Sequence, residues 1–161
     1  MGQLAGAGLA TCVLLTAFAV AAAGAEEVTR NSYREVVEPI CRTDTKANER
    51  IFAGVRAMVR RDELKPAAAR FEKAAKALRR AVSQLRAVPR PVADEARLAK
   101  WLRDLSVEVS LFGRVATKLR AGEKAAAERM VIRLTSQASR ANSLVLPFEF
   151  RYCKLEPSRF T

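Results

Sequence analysis

The chain has no histidine, only three cysteines, and aromatic side chains at just 6% of its 161 positions. Without an imidazole, Ser-His-Asp and Cys-His catalysis are excluded, because both need that ring to carry the proton. Zinc sites built on histidine, Glu-x-x-His di-iron sites and His-ligated haem are excluded for the same reason. Of the seven glycines, four precede position 25, and none forms a phosphate-cradling loop. Enzymes can run on paired carboxylates or on lysine alone. The acid that draws attention is Glu108, between Ser106 and Ser110 and beside the apolar Leu105, Val109 and Phe112. Two readings apply: a carboxylate with a raised pKa near the core, or a flank residue paired with an arginine such as Arg133 or Arg140. The pairing is the expectation. The composition points to a non-enzymatic protein with no cofactor and no metal.

Charge is also missing from the first 25 residues, which end Ala23-Gly24-Ala25 just before Glu26-Glu27. This reads as an export signal over residues 1–25 with an A-x-A cleavage site, leaving a domain at 26–161 that is secreted or held in the cell envelope. The rivals are an uncleaved anchor, since about 20 apolar residues span a bilayer, and a mis-assigned start. Alanine and glycine fill much of the run and contribute little insertion energy, which argues against the anchor. Leu9-Ala10-Thr11-Cys12 resembles a lipoprotein signal, but Thr11 is bulky for that slot and Cys12 reads as a plain signal residue. Export leaves Cys41 and Cys153 as the only thiols, and an oxidising compartment permits them to pair. The alternative is two separate buried thiols. A bridge would close nearly the whole domain and contribute roughly 4–5 kcal/mol through the unfolded state.

Few large rings mean that the core must rest on close helix contact. The six prolines fall between segments of helical rhythm. Pro39 precedes a first helix capped by Thr43, Asp44 or Thr45 and running to Arg61, with Ala47, Ile51, Val55 and Met58 on one face. A second helix spans 65–88, with a seam of Ala67, Phe71, Ala74, Leu78, Ala81 and Leu85. A third spans 92–121 with Leu98, Leu102, Leu105, Val109, Phe112, Ala116 and Leu119, and Gly122 stops it. A fourth spans 123–146 with Ala127, Val131, Leu134, Ala138, Ala141 and Val145. Alternating steps of three and four keep one stripe inward.

The expected fold is therefore all-α: an antiparallel four-helix up-down bundle with short loops and a C-terminal aromatic tail. An even helix count returns the chain to its starting end, which brings Cys41 and Cys153 together. The lead-in 31–40 and the tail 148–153 would cover the overhang of the long third helix. If the tail is extended, Phe148, Phe150 and Tyr152 share a side and face Trp101. Ring packing at the bundle base is the expectation there, and a ligand pocket lined by those rings is the rival.

Lysine and arginine outnumber aspartate and glutamate by 29 to 17, a net +12 carried wholly from Glu26 onward. Between Lys65 and Arg90 there are eight basic residues and a single acid, Glu72. At about 100° per residue, Lys65, Lys73, Lys76, Arg79 and Arg80 fall in one sector opposite the Phe71–Leu78–Leu85 seam. Such a stripe either keeps a helix face solvated or binds an extended anion. Few aromatics interleave with these charges, which argues against stacking on single-stranded bases, and no helix-turn-helix or zinc-finger pattern is present.

Two stretches carry a family likeness: Val88-Pro89-Arg90-Pro91 leading into Leu98-Ala99-Lys100-Trp101-Leu102, and Arg140-Ala141-Asn142-Ser143 leading into Phe148-Glu149-Phe150-Arg151-Tyr152-Cys153. With the Cys41 region they resemble a group of small secreted bacterial helical proteins that contain a cysteine pair. The likeness covers most of the mature chain and implies no functional residues.

The function expected from the sequence is a non-enzymatic exported binding or structural module at the cell envelope, monomeric and contacting an anionic polymer or a protein partner. The anion-binding set is Lys65, Lys73, Lys76, Arg79 and Arg80. The main alternative is a cytoplasmic or membrane-tethered nucleic-acid-binding protein using the same stripe on phosphates. A third class is a bundle that carries an apolar ligand between its helices. Intact mass of the protein from its native host, with and without reductant, separates the first two. A chain starting at Glu26 that takes up two hydrogens on reduction supports export. A full-length chain with free thiols overturns it.

Overall fold

The computed structural model describes residues 27–156 and, before them, Gly2 alone. The export segment at 1–25, Cys12 and Pro157 lie outside the described residues apart from that glycine. The elements run α1 (Arg30–Phe52), α2 (Val55–Arg60), α3 (Leu64–Ala87), α4 (Glu95–Arg120) and α5 (Lys124–Leu144), with single 3-10 turns at Val92–Asp94 and Leu146–Phe148. Among the described residues there is no strand, so the protein is all-helical with four long helices and one short one.

α1 begins earlier than the sequence suggests. The Thr29 hydroxyl accepts the Ser32 N–H at 3.1 Å, and the Ser32 hydroxyl accepts the Thr29 N–H at 3.0 Å. This reciprocal capping box satisfies two N–H groups that helix geometry leaves orphaned. The helix then runs straight through Pro39, correcting the expected start at Thr43–Thr45. A proline inside a helix forfeits the bond to the carbonyl four residues back. Here that residue is Glu35, and both Glu35 and Pro39 are exposed, so solvent can take the lost bond. The three presumed caps do other work. The Thr43 hydroxyl donates to the Pro39 carbonyl at 2.9 Å, Asp44 accepts from the Asn48 amide at 2.9 Å, and the Thr45 hydroxyl donates to the Tyr152 carbonyl at 3.1 Å.

The buried residues of α1 are Tyr33, Val37, Cys41, Asn48 and Phe52. Of the expected series, Ile51 is half-buried against the core, while Val55, buried, and Met58, half-buried, fall in α2. The helix also stops short of Arg61. It breaks at Ala53, and Gly54 takes a left-handed φ of 79° before α2. α2 ends in a Schellman turn: the Glu63 N–H reaches the Met58 carbonyl at 2.9 Å and Asp62 sits at φ 58°. α4 ends the same way, with the Glu123 N–H on the Lys118 carbonyl at 2.9 Å and Gly122 at φ 78°. Glycine is the ordinary residue for that slot, and aspartate is tolerated there because its short polar side chain suits the left-handed region.

α3 packs on α4, α4 on α5 and α1 on α3. Along the α3–α4 contact, Glu72 meets Arg120 and Arg86 meets Ser106, so numbers rise along one helix as they fall along the other. The six seam residues expected for α3 are all buried, as are the seven for α4. Six alanines of α3 are buried, which lets the neighbouring helices come close. α4 is 26 residues long, about 39 Å, shorter than the sequence suggests because Val92–Asp94 forms a 3-10 turn instead. Arg30 clamps that turn. Its guanidinium donates to both Asp94 carboxylate oxygens at 2.6 and 2.9 Å, joining the start of α1 to the start of α4.

Seven of the described aromatics fall into two clusters. Phe52, Phe71 and Phe112 pack with centroids 4.9–6.1 Å apart. Tyr33, Trp101, Phe148 and Phe150 form the second, with Phe148 stacked on Phe150 at 5.3 Å and Trp101 5.8 Å from Phe150. The tail that supplies the last two is not extended. A 3-10 turn and a left-handed Glu149 at φ 53° fold it back, so Phe148 and Phe150 are both buried while Tyr152 stays half-buried.

Beyond those rings the tail is a strap between α1 and α5. The Cys41 and Cys153 sulfurs lie 2.11 Å apart, at disulfide-bonding distance. Glu38 accepts the Arg151 and Tyr152 N–H groups, and the Asn142 side chain both donates to the Leu155 carbonyl at 2.8 Å and accepts its N–H at 3.1 Å. Replacing both cysteines with serine should lower unfolding stability by about 2–5 kcal/mol, given a bridge between residues 112 apart. Urea midpoints of the double variant and of the reduced native chain check this. Coinciding midpoints are expected, both below that of the oxidised protein.

Candidate functional site

α3 starts at Leu64 without an acidic residue in its first turn. Its N-cap is Glu63, whose carboxylate, paired with Arg61, lies at the positive end of the helix dipole beside Lys65. Lys65, Lys73, Lys76, Arg79 and Arg80 are all exposed, and none makes an ion pair with a described residue. The one acid of the stretch, Glu72, is taken by Arg120 of α4. The ion pairs that do form sit elsewhere, such as Arg30–Asp94, Lys124–Asp62 and Lys118–Glu123. The structure thus brings the five expected residues together on one open face about 22 Å long, none of them ion-paired within the described residues, although Arg80 lies near enough to Asp44 to favour its ionised form.

The core also holds buried polar side chains: Glu108, as the rival reading of that residue had it, with Asn48 and Gln137, which pattern reading missed. Asn48 and Gln137 are 1% and 5% exposed, and Glu108 is fully buried. Gln137 reaches the Asp104 carbonyl, and Arg140 donates to Gln137. The expected pairing of Glu108 with Arg133 or Arg140 is overturned. Both arginines are exposed, Arg140 is engaged by Gln137, and neither Glu108 carboxylate oxygen has a hydrogen-bond partner. Burial pushes the Glu108 carboxyl up to about 8, helped by the negative charges of Asp104 and Asp44. Burial also raises Asp44 to about 6, opposed by its bond from Asn48 and by the nearby charge of Arg80. Glu108 is therefore held mainly protonated at neutral pH. The signal for this group was Asn48, a polar residue at a core position of α1, in step with Cys41 and Phe52. Among the described residues no group of thiols and carboxylates is arranged to hold a metal ion.

Two hollows adjoin the aromatic clusters. A cavity of about 220 Å³ lies under the strap, lined by Asp44, Asn48, Leu85, Trp101 and Tyr152 among others. A larger groove of about 530 Å³ runs between α2, α4 and α5 at the other aromatic cluster, with Arg56 and Arg60 on its α2 wall.

Glu108 makes stability fall as pH rises. A carboxyl with a higher pKa in the fold than in the unfolded chain holds its proton more tightly when folded. Its contribution is complete below about 4.5 and is lost progressively as pH climbs through about 8. Glu108→Gln should leave stability nearly unchanged at pH 5 and raise it at pH 8.5, on the order of a few kcal/mol. Thermal or urea unfolding of both proteins across that range tests the point, and parallel pH profiles would refute it. Compared with known protein families, with curated proteins and with solved structures, the chain matches none, so its function has to be read from this geometry.

Proposed function

We propose that the mature domain, residues 26–161, is an exported, non-enzymatic binding or structural module of the bacterial cell envelope. In this reading the four long helices form an antiparallel up-down bundle, and the basic face of α3 holds an anionic polymer or an acidic protein partner. The observation that carries it is the row of five exposed cations with no described acid within ion-pair distance. Surface cations usually find neighbouring carboxylates. A row left without them creates a standing positive potential along one helix and concentrates extended anions there. The face presents no aromatic ring between its charges, so it reads charge and not bases. Among the described residues no helix is long and apolar enough to cross a membrane, and the cysteine pair suits an oxidising compartment.

The test is retention on an anionic matrix of wall polymer or acidic lipid. The native domain should bind and be released as salt rises, because polyelectrolyte contacts scale with the charges neutralised. Changing Lys73, Lys76, Arg79 and Arg80 to Gln should abolish retention and leave the unfolding midpoint within about 0.5 kcal/mol per site, since all four are exposed. Equal retention by the variant sinks the stripe. Stronger retention on duplex DNA than on the envelope matrix shifts the reading to nucleic acid.

A further inference from the structure

The groove beside α2 exists because of how the chain turns there. α1 ends at Phe52, Gly54 lets the chain reverse, and only six residues of helix follow before the Asp62 turn sends it into α3. α2 packs chiefly on α3 and leaves a gap towards α5. The gap is floored and walled by Val55, Val59, Phe71, Val115, Leu119 and Val131. Ile132, at the same groove, is 66% exposed, a large apolar side chain that nothing in the fold covers. The volume of about 530 Å³ falls within the ~300–1,000 Å³ usual for sites that take small molecules, and such sites are mostly apolar with a few polar groups to orient the ligand.

The polar groups here are mainly of one sign. Arg56 and Arg60 stand one turn apart on α2, both exposed, and neither makes an ion pair with a described residue. On the facing side Lys124 is answered by Asp62 at 3.1 Å, and Glu128 is the one acid lining the groove. Two neighbouring guanidiniums beside an apolar trough match a molecule with one flexible hydrocarbon chain and one compact anionic head. Guanidinium binds carboxylate through paired N–H donors in fixed geometry. Each methylene withdrawn from water then contributes about 0.8 kcal/mol.

We propose that this groove is a binding site for a single long-chain fatty acid, its alkyl chain lying along Val59, Leu119 and Val131 and its carboxylate held by Arg56 and Arg60. Apart from Phe71, on the inner side of α3, the site lies on different elements from the α3 stripe and uses none of its five cations.

Dodecanoate, used below its micelle concentration and followed by calorimetry on the full mature domain, is the probe. Saturable binding of one molecule per chain is expected. Arg56→Gln with Arg60→Gln should weaken it about tenfold or more, while dodecanol, which lacks the charge, binds both proteins alike. Val131→Asp should abolish both, with the unfolding midpoint measured alongside. If that variant is unfolded, Ile132→Asp at the exposed rim takes its place. The four-site Gln variant of the α3 stripe should bind dodecanoate as the native chain does. Absence of saturable binding overturns the proposal. So does equal affinity in the double Arg variant, or binding seen only on lipid vesicles and lost with the stripe.

Discussion

The strap that follows α5 is the constraint on which the rest of this fold hangs. α1 has its main packing partner in α3, and the tail ties it to α5. Cys153 bonds to Cys41 in the middle of α1, Glu38 binds two successive N–H groups of the strap, and Asn142 grips Leu155 from the α5 side. These links are unequal in kind. The hydrogen bonds give direction and register, each contributing about 1 kcal/mol net. The disulfide removes chain entropy from the unfolded state and so acts on the whole domain. Phe148 and Phe150 enter the base of the core because the strap is held in this way, and they bring cover to Trp101 and Tyr33.

Charge is distributed with a similar division of labour. Three acids of the described chain join separate elements: Asp94 at the meeting of α1 and α4, Glu72 between α3 and α4, Asp62 between the α2 turn and α5. Asp94 shows what a good joint does, since the Arg30 guanidinium bonded to it holds its carboxyl below the usual range. Lys65, Lys73, Lys76, Arg79 and Arg80 of α3, and Arg56 and Arg60 of α2, make no ion pair with a described residue. A net charge of +12 therefore becomes two local features, a long basic row and a pair of guanidiniums beside an apolar trough. Glu108 differs from these acids in being fully buried. It sits in the core without a hydrogen-bonding partner, and an acid in that position weakens the fold as it ionises.

Much of this was legible residue by residue. The seams of α3 and α4 follow directly from apolar spacing, and Gly122 marks the stop it was expected to mark. The five cations of the α3 face were identifiable because helical geometry fixes their sector whatever the neighbours do. The reading of α1 failed for a local reason. Proline was taken as a boundary, but the exposed turn at Glu35 and Pro39 tolerates the missing bond. The real start lies at Thr29–Ser32, a capping pair without the glutamate or glutamine that usually signals it. Asn48 and Gln137 were hidden because they occupy core positions that pattern reading reserves for apolar side chains.

The sequence by itself determined the helical class, the inward faces of three long helices, the catalytic chemistries closed to a chain without histidine, and the excess of positive charge. These follow from composition and periodicity, which act within a few residues. Only the tertiary structure decided which acids would neutralise which bases, where the tail would lie, and that α2 would leave a groove open. Each of those depends on distances between residues tens of positions apart, set by how whole helices pack and by a strap anchored to α1.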